Sequence, residues 1–141
     1  MDLFDRILEL SRAGYFCAQI LAILALETVG QEDEGFVRSM AGLNGGVGFS
    51  GDVCGCMTGG ACLISYFTGK PSLTERDHRE HKAALGELTQ WFKEEMLVDY
   101  GGWHCEDITK GNPAKRVELC PEIIGKTYEK CMEILTEKGI I

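Results

Sequence analysis

Apolar residues recur three and four positions apart along this chain, and no segment alternates convincingly at a spacing of two, so its core has to be built from helices. From Leu3 to Leu26 the pattern runs Leu3, Phe4, Ile7, Leu8, then Phe16, Cys17, Ile20, Leu21, Leu24, with Gly14 dividing two helices. Gln31 to Asn44 opens on Glu32, Asp33 and Glu34, acids that favour the positive end of a helix, and continues through Phe36, Val37 and Met40 as a third. Ala61 to Thr68 reads as a small-residue helix ending at Gly69. Ser72-Leu-Thr-Glu75 has capping-box spacing and predicts a long helix through Leu97, with Leu85, Leu88, Trp91, Phe92 and Met96 on its buried side. After the break at Tyr100-Gly-Gly-Trp103 and a short segment around Cys105, Pro121 predicts the first turn of a last helix running to about Lys138. The expected fold is all-α, a compact bundle of about five or six helices with a Gly-rich loop, and residues 1–141 are expected to form a single domain.

Charge narrows the function classes. With 14 Lys plus Arg against 22 Asp plus Glu the net charge is -8, which repels phosphate backbones and acidic membranes, so nucleic acid is not an expected partner. The uncharged stretches Ala13–Leu26 and Val53–Gly69 fall short of the roughly 18 residues of a spanning helix, and no membrane insertion is expected. Met1 to Asp5 is acidic where a signal peptide is basic; the expectation is a cytoplasmic protein. In that reducing compartment, seven cysteines point to metal ligands, redox thiols or buried small hydrophobes rather than to structural disulfides.

Eight of the 18 glycines lie between Gly42 and Gly60, where something requires close backbone approach. Gly46-Val-Gly48-Phe-Ser-Gly51 satisfies G-x-G-x-x-G, but the dinucleotide reading needs a preceding strand and a βαβ unit that this chain does not offer. The glycines instead bring backbone N–H groups and a helix N-terminus, with Asp52 as candidate N-cap, toward Cys54 and Cys56. Amides and a helix dipole stabilise a thiolate there.

The ordered set Tyr15-Phe-Cys17-Ala-Gln19, Gly45-Gly-Val-Gly48 leading into Cys54-Gly-Cys-Met-Thr-Gly59, Trp91-Phe92 ahead of Tyr100-Gly101, Cys105-Glu-Asp-Ile-Thr109 and Cys120 resembles the C-GCAxxG-C-C family of redox-active proteins with four characteristic cysteines. The central motif is laid preferentially on Cys54 to Gly59, where Cys56 replaces the alanine; laid on Gly55 to Gly60, Met57 replaces it. The resemblance implies that Cys17, Cys54, Cys105 and Cys120 form one site, with Cys56 as an alternate, and an association with transport-related gene neighbourhoods.

On the residues alone, Cys17 faces inward with Ile20, Leu21 and Leu24, as a ligand or an inert core thiol. Cys120 ahead of Pro121 is expected at a helix N-cap. Cys105 sits beside Glu106 and Asp107, which raise a free thiol's pKa and favour a metal-bound one. Cys62 and Cys131 are expected in the core. His78 and His81 lie amid charges of a solvated face, and His104 is at most a supporting group. The expected chemistry is electron transfer or thiol redox rather than hydrolysis or group transfer. With the set that the resemblance implies, Cys17, Cys54, Cys105 and Cys120 would bind an iron–sulfur cluster, or Cys54 or Cys120 would attack as a redox thiolate with a neighbour resolving, Cys54 and Cys56 being one candidate pair. The alternative is a non-catalytic module with a structural four-cysteine zinc site. An electron donor or acceptor, or a transport-related protein, is the expected partner. Gly55, Gly59 and Ala61 are compatible with a homodimer.

Overall fold

The computed structural model describes residues 2–141, and seven α-helices account for most of them. They are α1 (Leu3–Arg12), α2 (Cys17–Thr28), α3 (Glu34–Met40), α4 (Gly55–Thr68), α5 (His81–Tyr100), α6 (Cys105–Thr109) and α7 (Pro113–Glu137), with one 3-10 turn, Ala41–Leu43, after α3. No strand forms among the described residues; one isolated antiparallel bridge joins Val53 to His104. The all-α class holds, and the seventh helix, α6, arises from the short segment around Cys105.

α2 and α4 form the central pair, because both present small residues at their contact. A methyl group on Gly59 would lie 2.9 Å from the Ala18 Cα. The same addition at Gly55 would run into the Cys17 sulfur and come within 2.9 Å of the Leu43 carbonyl oxygen. On the other side of α4, Gly60 admits Thr127 of α7 and Leu88 of α5. Gly55 and Gly59 are thus used for close approach within the chain. Around this pair α1, α5 and α7 bury Ile7, Leu88, Phe92, Ile124, Ile134 and Leu135, each no more than 2% exposed. Fully burying such side chains contributes roughly 1.5–3 kcal/mol each.

Three helix starts differ from the sequence expectation, and the first is α4, which begins at Gly55 rather than Ala61. The Ser72 hydroxyl donates to the Glu75 carboxylate at 3.1 Å, so the capping-box residues pair with each other across a turn. Between Leu73, 96% exposed, and Ala83 there is no apolar residue to dock, and a helix without a buried face has little to hold it. The chain is tied down by polar bonds, Lys70 N–H to Asp77 at 2.6 Å and His78 N–H to the Thr68 carbonyl at 2.7 Å, and α5 begins only at His81. The last helix starts earlier than expected. Asn112 Oδ1 accepts from the Ala114 N–H at 3.0 Å with Pro113 in the first turn, a complete start signal eight residues before Pro121. Pro121 lies buried inside α7, and Cys120 is a mid-helix residue rather than an N-cap.

Candidate functional site

Three helix beginnings meet around the thiols. Cys17 is the first residue of α2, Cys54 is the N-cap of α4 with Cys56 two residues on, and Cys105 is the first residue of α6. Asp52, the expected cap, uses its carboxylate on the neighbouring Val53 N–H at 2.8 Å; the Cys54 sulfur is the cap and accepts from the Cys56 N–H at 3.4 Å. The Val53–His104 bridge fixes the two loops against each other: Cys54 N–H donates to the Trp103 carbonyl at 3.0 Å, and Cys105 N–H to the Asp52 carbonyl at 2.7 Å. α2 is held by Asn44, 2% exposed, whose Oδ1 accepts from the Ala18 N–H at 3.1 Å and whose amide donates to Gln19 at 3.0 Å.

The glycine run supplies the remaining wall. Gly45, Gly46, Val47, Gly48 and Phe49 all have positive φ, between 60° and 77°, giving five consecutive residues in the left-handed region. Glycine enters that region freely, but Val47 and Phe49 do so at a cost of roughly 1–2 kcal/mol each. Backbone bonds oppose the strain, among them Gly48 N–H to Gly42 O at 2.9 Å, Phe49 N–H to Asn44 O at 3.0 Å and Asp52 N–H to Gly46 O at 3.0 Å. The run follows a 3-10 turn, not a strand, so the G-x-G-x-x-G match is not a dinucleotide turn. It folds the loop over the thiols: a Cβ on Gly46 would lie 2.9 Å from the Cys105 Cβ.

These neighbours set the thiol chemistry. Cys17 is lowered to about 7, chiefly because the Cys56 thiol donates to its sulfur, with further help from the Gly45 and Ala18 amides and the positive charge of Arg116; burial opposes them. Cys56 is pushed up, because its thiol hydrogen bonds Cys17 and Cys54 and the group is fully buried. Cys17, Cys54 and Cys56 thus lie side by side: the Cys17 sulfur sits against Gly55, between the other two in sequence, and the Cys56 N–H donates to the Cys54 sulfur at 3.4 Å. Cys105 is raised by burial and by the charges of Cys54 and Cys17, against a hydrogen bond from Arg116. Cys120 is raised far above its ordinary range, by burial first and then by the charges of Cys17, Cys54 and Cys105. The four expected cysteines and Cys56 all lie within electrostatic reach of one another.

Arg116 is the functional residue that sequence reasoning missed. It stands one turn before Cys120 on α7, and i, i+4 residues share a helix face, so an earlier helix start would have revealed it. Its guanidinium lies over the Phe49 ring, 5.0 Å from the centroid, and its Nε is buried without a hydrogen-bond partner.

A family model described as "Putative redox-active protein (C_GCAxxG_C_C)" matches residues 15–134. The chain belongs to the C_GCAxxG_C_C family. No curated protein and no solved structure matches the chain. Both registers of the C_GCAxxG_C_C central motif use their final glycine for packing: Gly59 presses on α2, and Gly60 on α5 and α7.

The other candidates are engaged elsewhere in this C_GCAxxG_C_C chain. Cys131 is fully buried, its thiol 3.6 Å from the Gly60 carbonyl and pushed by burial up to about 12. Cys62, half-buried, packs with Ala18, Ala22 and Met40 and is also raised by burial. His81 Nδ1 pairs with the Thr68 hydroxyl at 2.7 Å, and His78 Nδ1 accepts from the Glu80 N–H at 3.0 Å, so each ring serves the turn into α5. His104 stacks on Trp103, with Nε2 3.7 Å from Asp52 and Nδ1 3.5 Å from Asp107. All seven cysteines are free thiols, and no helix among the described residues is long and apolar enough to cross a membrane.

Proposed function

We propose that the chain performs thiol–disulfide exchange, with Cys17 as the attacking thiolate and Cys56 as its resolving partner. The observation that carries this reading is the seating of Cys17 Sγ against Gly55, between Cys54 and Cys56, with the Cys17 thiol lowered to about 7. An attacking thiol is most effective when its pKa lies near ambient pH. The Cys17 thiolate attacks one sulfur of a disulfide R–S–S–R, forming Cys17–S–S–R and expelling R–S⁻. Cys56, giving up its proton to the departing R–S⁻, attacks Cys17 Sγ, closes a Cys17–Cys56 disulfide and expels the second R–S⁻. Two electrons pass from the protein thiols to the substrate disulfide. Cys54, beside Cys56, is positioned to exchange into that disulfide, and Cys105 and Cys120 complete the cluster.

A second reading keeps Cys17, Cys54, Cys105 and Cys120 as ligands of an iron–sulfur cluster or of zinc. Thiolates are the right donors for either; Cys105 and Cys120 are raised by burial first and by the charges of neighbouring cysteines second, and that repulsion is what a bound cation would remove. When bound, a cluster would supply one-electron transfer, and zinc would brace the fold. Among the described residues, no three Cys, His, Asp or Glu side chains are already gathered as a cation cage.

The test is a free-thiol count on anaerobically purified protein before and after diamide, with peptide mapping of any disulfide and elemental analysis in parallel. Loss of two thiols that maps to Cys17 and Cys56 and reverses with reductant is expected. Thiols that resist diamide while iron or zinc is stoichiometric would replace this reading with the second.

A further inference from the structure

Beside the thiol cluster lies a cleft of about 420 Å³, lined by Gly45, Phe49, Ser50, Cys105, Thr109 and Arg116 among others. That volume is in the range of small-molecule sites. Cys105, the thiol on its wall, is 6% exposed and borders the group that holds Cys17. Arg116 is the only basic side chain in the lining, and it makes no ion pair among the described residues. A buried guanidinium nitrogen without an acceptor costs free energy that a ligand oxygen would recover. The Arg116 guanidinium lies over the Phe49 ring, 5.0 Å from its centroid, and its forked donors suit a planar, two-pronged acceptor such as a carboxylate. The one carboxylate in the lining, Glu106, is solvent-exposed, so water screens its charge.

We propose that this cleft binds a small disulfide carrying a carboxylate, with the carboxylate held by Arg116 and the disulfide lying against Cys105 at the edge of the thiol cluster. The proposal rests on the exchange reading above and names the substrate class for it. The chain's net charge of -8 repels anions in general, so any preference for an anionic substrate is attributable to this local cation.

The experiment compares two disulfide probes, anionic dithiobis(nitrobenzoic acid) and neutral dithiodipyridine. Each rate of mixed-disulfide formation at Cys17 or Cys105, located by peptide mapping, is divided by that for mercaptoethanol. The expected result is a roughly tenfold normalised preference for the anionic probe, the scale of one charge-assisted bidentate contact, and its decline with added salt. Arg116→Gln should abolish the preference, and Arg116→Lys should retain part of it. Taking the ratio cancels the general slowing expected when Arg116 no longer favours the Cys17 thiolate. The salt titration needs only the wild-type chain, so it decides even if a variant folds poorly. A ratio independent of salt or unchanged in Arg116→Gln overturns this proposal alone, whereas no exchange with either probe overturns the exchange reading together with it.

Discussion

At the scale of single residues, Cys17 is distinguished by its donors. Its neighbours stabilise the thiolate, so the rate of alkylation by iodoacetamide at Cys17 should rise with a midpoint near pH 7. Replacing Cys56 with Ala removes the largest of those donors, and the midpoint should move to higher pH; a midpoint unmoved by Cys56→Ala would show that the Cys56 thiol does not act on Cys17. The linkage follows in sign. A group whose pKa falls on folding, from 9.0 to about 7 for Cys17, contributes stability that is complete above about pH 9 and lost as pH falls through 7. The opposite shift at Cys56 shares the same hydrogen bond, so the two belong to one coupled pair. Cys17 could be found from sequence order, but its acidity could not, because Gly45, Cys56 and Arg116 reach it only through the fold.

Among the helices, local signals compete, and the structure shows which of them prevail. Gly14 as a divider and the acidic start of α3 were legible from local signals that agreed, and the apolar face of α5 from periodicity alone. The Ser72–Glu75 box was misleading, since capping chemistry starts a helix only when an apolar face follows within a turn. Asn112-Pro113 was the stronger start and was passed over for Pro121, which hid Arg116 inside a supposed loop. Asn112→Ala should therefore cost about 1 kcal/mol in urea unfolding, and Ser72→Ala less than about 0.5 kcal/mol. Equal costs would mean that the Ser72 turn carries as much of the fold as the cap of α7.

For the whole molecule, the decisive geometry is the seating of α2 on α4 through missing side chains. Gly59→Ala should destabilise the chain by roughly 1–3 kcal/mol by overpacking, despite alanine's better helix propensity, because the obstruction is the Ala18 backbone. A urea midpoint equal to or above that of the wild type would show that the two helices can separate freely. The all-α class and the seating of the core were readable from spacing alone, while the convergence of Cys17, Cys54, Cys56, Cys105 and Cys120 rested on family resemblance, since no local pattern links residues so far apart. That dispersal also orders events in time. During synthesis Gly45 and Cys56 follow Cys17 out of the ribosome within about 40 residues, but Arg116 and Cys120 arrive only with α7. A growing chain therefore carries an incompletely activated thiol, and the full cluster is assembled only once α7 has been made.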